Sequence, residues 1–180
     1  MPHLASSARR WLAAGALSVL GAALPLAAVA APNYAECRRA VPVEFPGTIV
    51  DAAIATPALS TLVGLVVAAD LAGALSQPGN LTVFAPTNDA FASIPAPVLG
   101  AIGSDVGLLT AVLTYHVVAG PADPRAPTTR KATTLQGQTL YTGFEQGIGA
   151  RVNNSVAGCS AVRTTNGTVW VIDSVLLPQF

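Results

Sequence analysis

Charge is scarce in this chain. Only 10% of its 180 residues are charged, and the nine basic residues are balanced by nine acidic ones. A nucleic-acid binder needs a basic face, so that class is excluded. Histidine is scarcer still, with only His3 and His116. Beyond residue 30 a Ser-His-Asp triad would have to use His116, and no G-x-S-x-G elbow is present. One histidine and two distant cysteines cannot build a standard zinc site. Gly147-Ile-Gly149 lacks the third glycine of a dinucleotide loop, and there is no P-loop. No carboxylate pair has a recognisable glycosidase context. The residues therefore point to a non-catalytic protein with no cofactor and no metal.

What is abundant is apolar, at 52% of the chain. Part of that comes from residues 1–30, which read as a secretory signal peptide. Arg9 and Arg10 form the positive end, Trp11 to Val29 the apolar stretch, and Ala28-Val-Ala30 the cleavage site. An uncleaved anchor is the alternative, because the stretch is nearly long enough to span a bilayer. After cleavage no run is long enough to cross a membrane. The remaining chain carries seven Lys/Arg against nine Asp/Glu and is mildly acidic. In an oxidising compartment the even pair Cys37 and Cys159 predicts a disulfide. Tyr34-Ala-Glu36 is wrong for a lipobox, so a lipid anchor at Cys37 is not expected.

Along the chain, residues 31–47 form a short segment in which Pro42 and Pro46 preclude a long helix. The pattern predicts loose packing, tied down by Cys37. Thr48 and Asp51 predict a capped helix with Ile49, Val50, Ala53 and Ile54 on its apolar side. Thr56-Pro57 opens another, with Leu59, Leu62, Val63, Val66 and Val67 at helical spacing. Val98 to Ile102 predicts a short helix stopped by Gly103. Ser104-Asp105 caps the next, with Leu108, Leu109, Val112 and Leu113 inward. Tyr115-His-Val-Val118 reads as a strand, and residues 120–131 as a structureless surface loop. From Thr133 the pattern is β, with two short strands about Gly137, another at 150–153, and a type I′ hairpin at Asn166-Gly167. Both faces of the strand around Trp170 are apolar, which places Trp170 in the core. Helices in the first half and strands in the second predict an α+β fold with an antiparallel-rich sheet.

The organising stretch is Leu81-Thr-Val-Phe-Ala-Pro-Thr-Asn-Asp-Ala-Phe91. Leu81, Val83 and Phe84 make a buried strand, Pro86 ends it, and Thr87, Asn88 and Asp89 are helix-capping types. Val83 to Phe91 resembles the first signature block of the fasciclin domain. Thr48-Ile-Val-Asp51 with Leu59-Ser-Thr-Leu62, Leu113-Thr-Tyr-His-Val-Val118, and Asn166 to Pro178 resemble three further blocks of that domain, in the expected order. The resemblance covers 48–178. It implies a wedge with a β-sheet core and helices around one end.

It also implies an adhesion module at the cell surface or in the extracellular matrix. Such a module would be secreted, extracellular or periplasmic, would bind proteins or polysaccharides, and could self-associate. In animal fasciclin domains the block at Tyr115 and His116 has been linked to receptor adhesion. The structural alternative has His116 hydrogen-bonded to the corner at Thr87 and Asn88, with Asn88 and Asp89 as caps rather than ligands. The expected contact surface is the loop bearing Arg125, Arg130 and Lys131. Asp173 either cross-links its strand or faces solvent. Asn80, Asn153 and Asn166 each begin a glycosylation sequon, with Asn166 better explained by the hairpin. The competing function is an envelope-structural protein or a carrier of a small apolar ligand or lipid, which would need a cavity lined by Leu, Val and Phe.

Overall fold

The computed structural model describes residues 32–179; the leader expected at 1–30 and its cleavage site lie outside the described residues. Helix α1 (Tyr34–Arg39) and strand β1 (Val43–Glu44) come first, followed by α2 (Ile49–Ile54), a 3-10 turn (Pro57–Leu59), α3 (Ser60–Ala68) and α4 (Ala72–Leu75). Strand β2 (Leu81–Pro86) leads into α5 (Asn88–Ala92), α6 (Ala96–Ser104) and α7 (Val106–Tyr115). Strands β3 (Val117–Ala119), β4 (Arg130–Thr133), β5 (Thr139–Glu145), β6 (Gly149–Val152), β7 (Ser155–Ala157), β8 (Val162–Thr164) and β9 (Gly167–Ile172) follow, and an irregular segment, 173–179, ends the described residues. This is the α+β class expected, with helices in the first half and strands in the second.

Strand β9 is the centre. Along one edge it pairs in parallel with β2, Leu81 opposite Gly167 through Pro86 opposite Ile172. Along the other it pairs antiparallel with β8 and then with β7. Six of the eight pairings are antiparallel; β1–β8 and β2–β9 are the parallel ones.

Because side chains alternate across a strand, β2 and β9 serve two cores at once. Val83, Ala85 and Val169 face the helices and pack with Leu59, Leu62, Val66, Phe91, Leu109 and Val112. Phe84, Trp170 and Ile172 face the other way, onto Leu140, Ala150, Val152 and Leu176. Both faces are dry, which explains the unbroken apolar runs in these strands.

Several local expectations are corrected. Tyr115 ends α7 and His116 is its C-cap, so only Val117 onward is strand. Helix α6 runs through Gly103 to Ser104. Ile54 and Val67 are exposed, because the short α2 and α3 bury only Ile49, Ala52, Leu62 and Val66. Segment 120–131 is not structureless: Ala122, Pro124 and Ala126 are buried, and β4 begins at Arg130. Gly137, at φ +103°, turns between β4 and β5 rather than between two strands starting at Thr134. The N-terminal segment is not loose either. Strand β1 joins the sheet, Tyr34 packs edge-on against Phe144 at 5.2 Å, and Cys37 bonds to Cys159 with no exposure.

The hairpin turn at Thr165-Asn166 differs most in its cause. Thr164 pairs with Gly167, and neither Asn166 nor Gly167 has positive φ. Gly167 is needed for closeness instead. A Cβ there would overlap the Leu81 carbonyl and sit 2.8 Å from Ile49 Cδ1. Asn166 is buried, and its amide joins three elements. Its Oδ1 accepts the Ile49 N–H at 2.9 Å, and its Nδ2 donates to the Leu75 carbonyl at 2.8 Å and the Gln77 carbonyl at 2.9 Å.

Candidate functional site

His116 sits where α7, β2 and the C-terminal segment meet, and only 2% of it is exposed. Its carbonyl accepts the Phe84 N–H of β2 at 2.9 Å. The Leu176 N–H donates to its Nε2 at 2.9 Å, so Nε2 is the unprotonated nitrogen. Nδ1 therefore carries the hydrogen and donates it to the Val112 carbonyl at 2.8 Å. These partners replace the expected Thr87-Asn88 corner. Burial pulls the His116 pKa from 6.5 down to about 4, only partly opposed by the Val112 bond, so the ring is neutral near pH 7.

A consequence in stability follows. Between pH 6.5 and about 4 the unfolded chain binds a proton at His116 that the folded protein refuses. The stabilisation is complete above pH 6.5 and is lost as pH falls toward 4, on the order of 3 kcal/mol in all. Asp51 and Asp123 have pKa values lowered from 3.8, by hydrogen bonds from Thr48 and from Arg125 respectively, the latter against the opposing effect of burial. Their contributions are lost only below that range. Melting curves from pH 7 to pH 4 are expected to show a falling Tm for the native chain and a much flatter profile for a folded His116→Gln variant. Parallel profiles would contradict the buried neutral ring.

Tyr115, next to it, has a buried ring, but its hydroxyl reaches the far side of the sheet. Asn153 Nδ2 donates to it at 3.0 Å. Asn153 lies in the left-handed region at φ 52°, where it turns β6 into β7. Its Oδ1 accepts the Tyr141 N–H at 2.9 Å, and its own N–H donates to the Tyr141 carbonyl at 2.7 Å. Tyr115 is thus linked through Asn153 to Tyr141, an exposed ring that the motif gave no reason to single out.

The corner after β2 is a junction of helices. Thr87 caps α5 by accepting the Ala90 N–H. Asn88 caps a neighbour instead: its Oδ1 accepts the Thr61 N–H in the first turn of α3, and its Nδ2 donates to the Pro57 carbonyl and Ser60 Oγ. Asp89 is exposed in the first turn of α5. Asp173 cross-links β9 to β7 by accepting the Val156 N–H at 2.9 Å.

The three basic residues of the expected contact loop do not share one surface. Arg125 points inward, its side chain 11% exposed. It lies 4.8 Å over the Trp170 ring, pairs with Asp123, and donates to the carbonyls of Ala40 and Cys159. Lys131 and Arg130 alternate along β4, opposite Tyr141 and Thr142 respectively. Lys131 therefore shares a face with exposed Tyr141, and Arg130 lies on the other. Arg125→Ala is expected to cost about 2–4 kcal/mol in urea unfolding, since it leaves buried acceptors and Asp123 without their donor. Arg130→Ala or Lys131→Ala is expected to stay within about 0.5 kcal/mol. Equal effects at all three positions would refute the distinction.

Among the described residues no cluster of His, Cys, Asp and Glu could hold a metal ion, and no single helix is long and apolar enough to cross a membrane. The order of these elements, from the 3-10 turn through β9 to the segment held by His116, can be set against known families. A fasciclin-domain model matches residues 57–178. The chain belongs to the fasciclin family. Immunogenic protein MPB70 of Mycobacterium bovis is 46% identical to this fasciclin protein over 100 residues, 56% of this chain and 51% of its own length. Protein sll1483 of Synechocystis is 40% identical over 133 residues, 73% of each chain. Cell surface glycolipoprotein MPB83 of Mycobacterium bovis is 42% identical over 144 residues, 72% of this chain and 60% of its own. The chain thus spans about half the length of MPB70.

Proposed function

We propose that this fasciclin protein is an exported, non-catalytic interaction module that binds protein or polysaccharide at the cell surface or in the surrounding matrix. Family membership carries the reading, with a cell surface glycolipoprotein among the relatives. The predicted leader fits export. Among the described residues His116 is the one histidine, and both its nitrogens are committed to the fold. A carrier role is less well supported. The apolar space beneath α2 and α3, lined by Ile49, Leu62, Val66, Leu113 and Val117, is about 40 Å³. That is far below the roughly 150 Å³ that accommodates a benzene.

The test is attachment of the immobilised protein to intact cells, matrix proteins and polysaccharides. Saturable attachment is expected, and a folded His116→Gln variant should retain it, because the ring is not at the surface. Loss of attachment in that variant would move the contact to the Tyr115-His116 block. No saturable attachment to any of the three would overturn the adhesion reading.

A further inference from the structure

Strand β5 buries Leu140 and Thr142 and turns Tyr141 outward, 47% exposed. An open groove runs along each side of that ring. One, of about 670 Å³, is lined by Gln138, Thr139, Asn153 and Gln179 with Leu177. The other, of about 210 Å³, is lined by Thr129, Glu145, Arg151 and again Asn153. Tyr141 is the wall between them, and Asn153 holds it in place from both sides of its peptide.

The polar groups along these grooves keep unused capacity. Gln138 exchanges two hydrogen bonds with the Gln179 backbone, which leaves its amide one hydrogen and one lone pair. Arg151 is paired with Glu145 through one terminal nitrogen, and its Nε is buried out of a ligand's reach. The Lys131 ammonium lies 5.7 Å from the Tyr141 ring centroid. Of the five basic residues beyond residue 40, Arg125, Arg151 and Arg163 pair with Asp123, Glu145 and Glu44, and Arg130 lies on the other face, so Lys131 is the cation at this ring with no carboxylate partner among the described residues.

We infer that Tyr141 is the stacking platform of a binding groove for an acidic polysaccharide. An exposed aromatic face offers a large apolar surface at low entropic cost and suits the C–H face of a pyranose ring. Gln138 and Thr139 on one side, and the Glu145–Arg151 pair on the other, meet neighbouring hydroxyls. Lys131 lies over one face of the ring, which leaves the other face for the sugar, and its ammonium meets a carboxylate of that sugar or its neighbour at the ring edge. The inference rests on the adhesion reading and names its partner class. It also gives the Tyr115 hydroxyl a role: it lines the larger groove and, by accepting from Asn153, helps position the platform.

The experiment is titration of the folded protein with polygalacturonate, with dextran as the uncharged control, read by calorimetry. Saturable binding to polygalacturonate that weakens with salt is expected, with much weaker binding to dextran. Tyr141→Ala should weaken it at least tenfold and Lys131→Ala several-fold, both with unchanged melting. Tyr141→Phe should keep most of it, which separates ring stacking from loss of a hydroxyl. Binding unaffected by Tyr141→Ala would overturn this groove while leaving the adhesion reading intact. Equal binding to dextran would overturn the acidic specificity. Attachment to matrix proteins with no polygalacturonate binding would overturn the groove and leave adhesion through protein. No attachment to anything would remove both.

Discussion

Asn166→Ala is expected to destabilise the protein by about 4 kcal/mol, the sum of a few buried groups losing their partners at 1–3 kcal/mol each. The first N–H of α2 and the carbonyls of Leu75 and Gln77 all rely on this one amide. Asn166→Asp is the sharper variant. It keeps the acceptor for Ile49 but aims a second oxygen at two carbonyls, so it should cost at least as much as alanine at pH 7. Part of that loss should be recovered as pH falls and the carboxyl takes up a proton. Gly167→Ala should be of comparable severity, because the new methyl would force β2 away from β9. Denaturant midpoints measure all three. A loss under about 1 kcal/mol for Asn166→Ala would show that water replaces the amide and that the junction is not dry.

Removing the disulfide is the second large effect. Cys37 and Cys159 are 122 residues apart, and closing so long a loop is worth about 4–5 kcal/mol on the chain-entropy model. The Cys37→Ser/Cys159→Ser double variant should melt roughly 10 °C lower, at 2–4 °C per kcal/mol for a chain of this size. The double variant is preferred to reductant because Cys37 is fully buried and native reduction would be slow. Hydrogen exchange should locate the damage, with α1 and β1 losing protection first while β2 and β9 keep theirs. Uniform loss across the sheet would mean that the bridge supports the whole fold rather than its N-terminal segment. Unchanged melting would reject its contribution.

Much of the fold was legible where a short-range rule governs. Thr48 and Asp51 form the capping box that their spacing suggests, Asp105 caps α7, and Trp170 is core because both faces of its strand are apolar. What escaped lies in contacts that sequence spacing does not encode. The His116 partner Leu176 is 60 residues away in a segment with no regular structure, so nothing nearby announced it. Asn166-Gly167 carried a strong turn signal, and tertiary packing assigned both residues other work, 117 residues from Ile49. Arg125 looked like a surface charge in a proline-rich loop, yet Trp170 and the Cys159 carbonyl draw it inward. Tyr141 had no motif around it, and only the turn at Asn153 shows how it is held.

The parallel pairing of β2 with β9 also sets a timetable. Residues 81–83 can pair early with residues 117–119, but the parallel partner of residues 81–86 exists only once residues 167–172 have been made, so the central pair of strands cannot close on a growing chain before then. Pairings between such distant segments are slow to form, because the loop must be closed before its contacts stabilise it. A nascent chain of this design stays unfolded late, the state in which a polypeptide can be threaded through a membrane pore. A stop or a proteolytic cut before residue 167 would remove the shared wall of both cores and leave nothing able to fold.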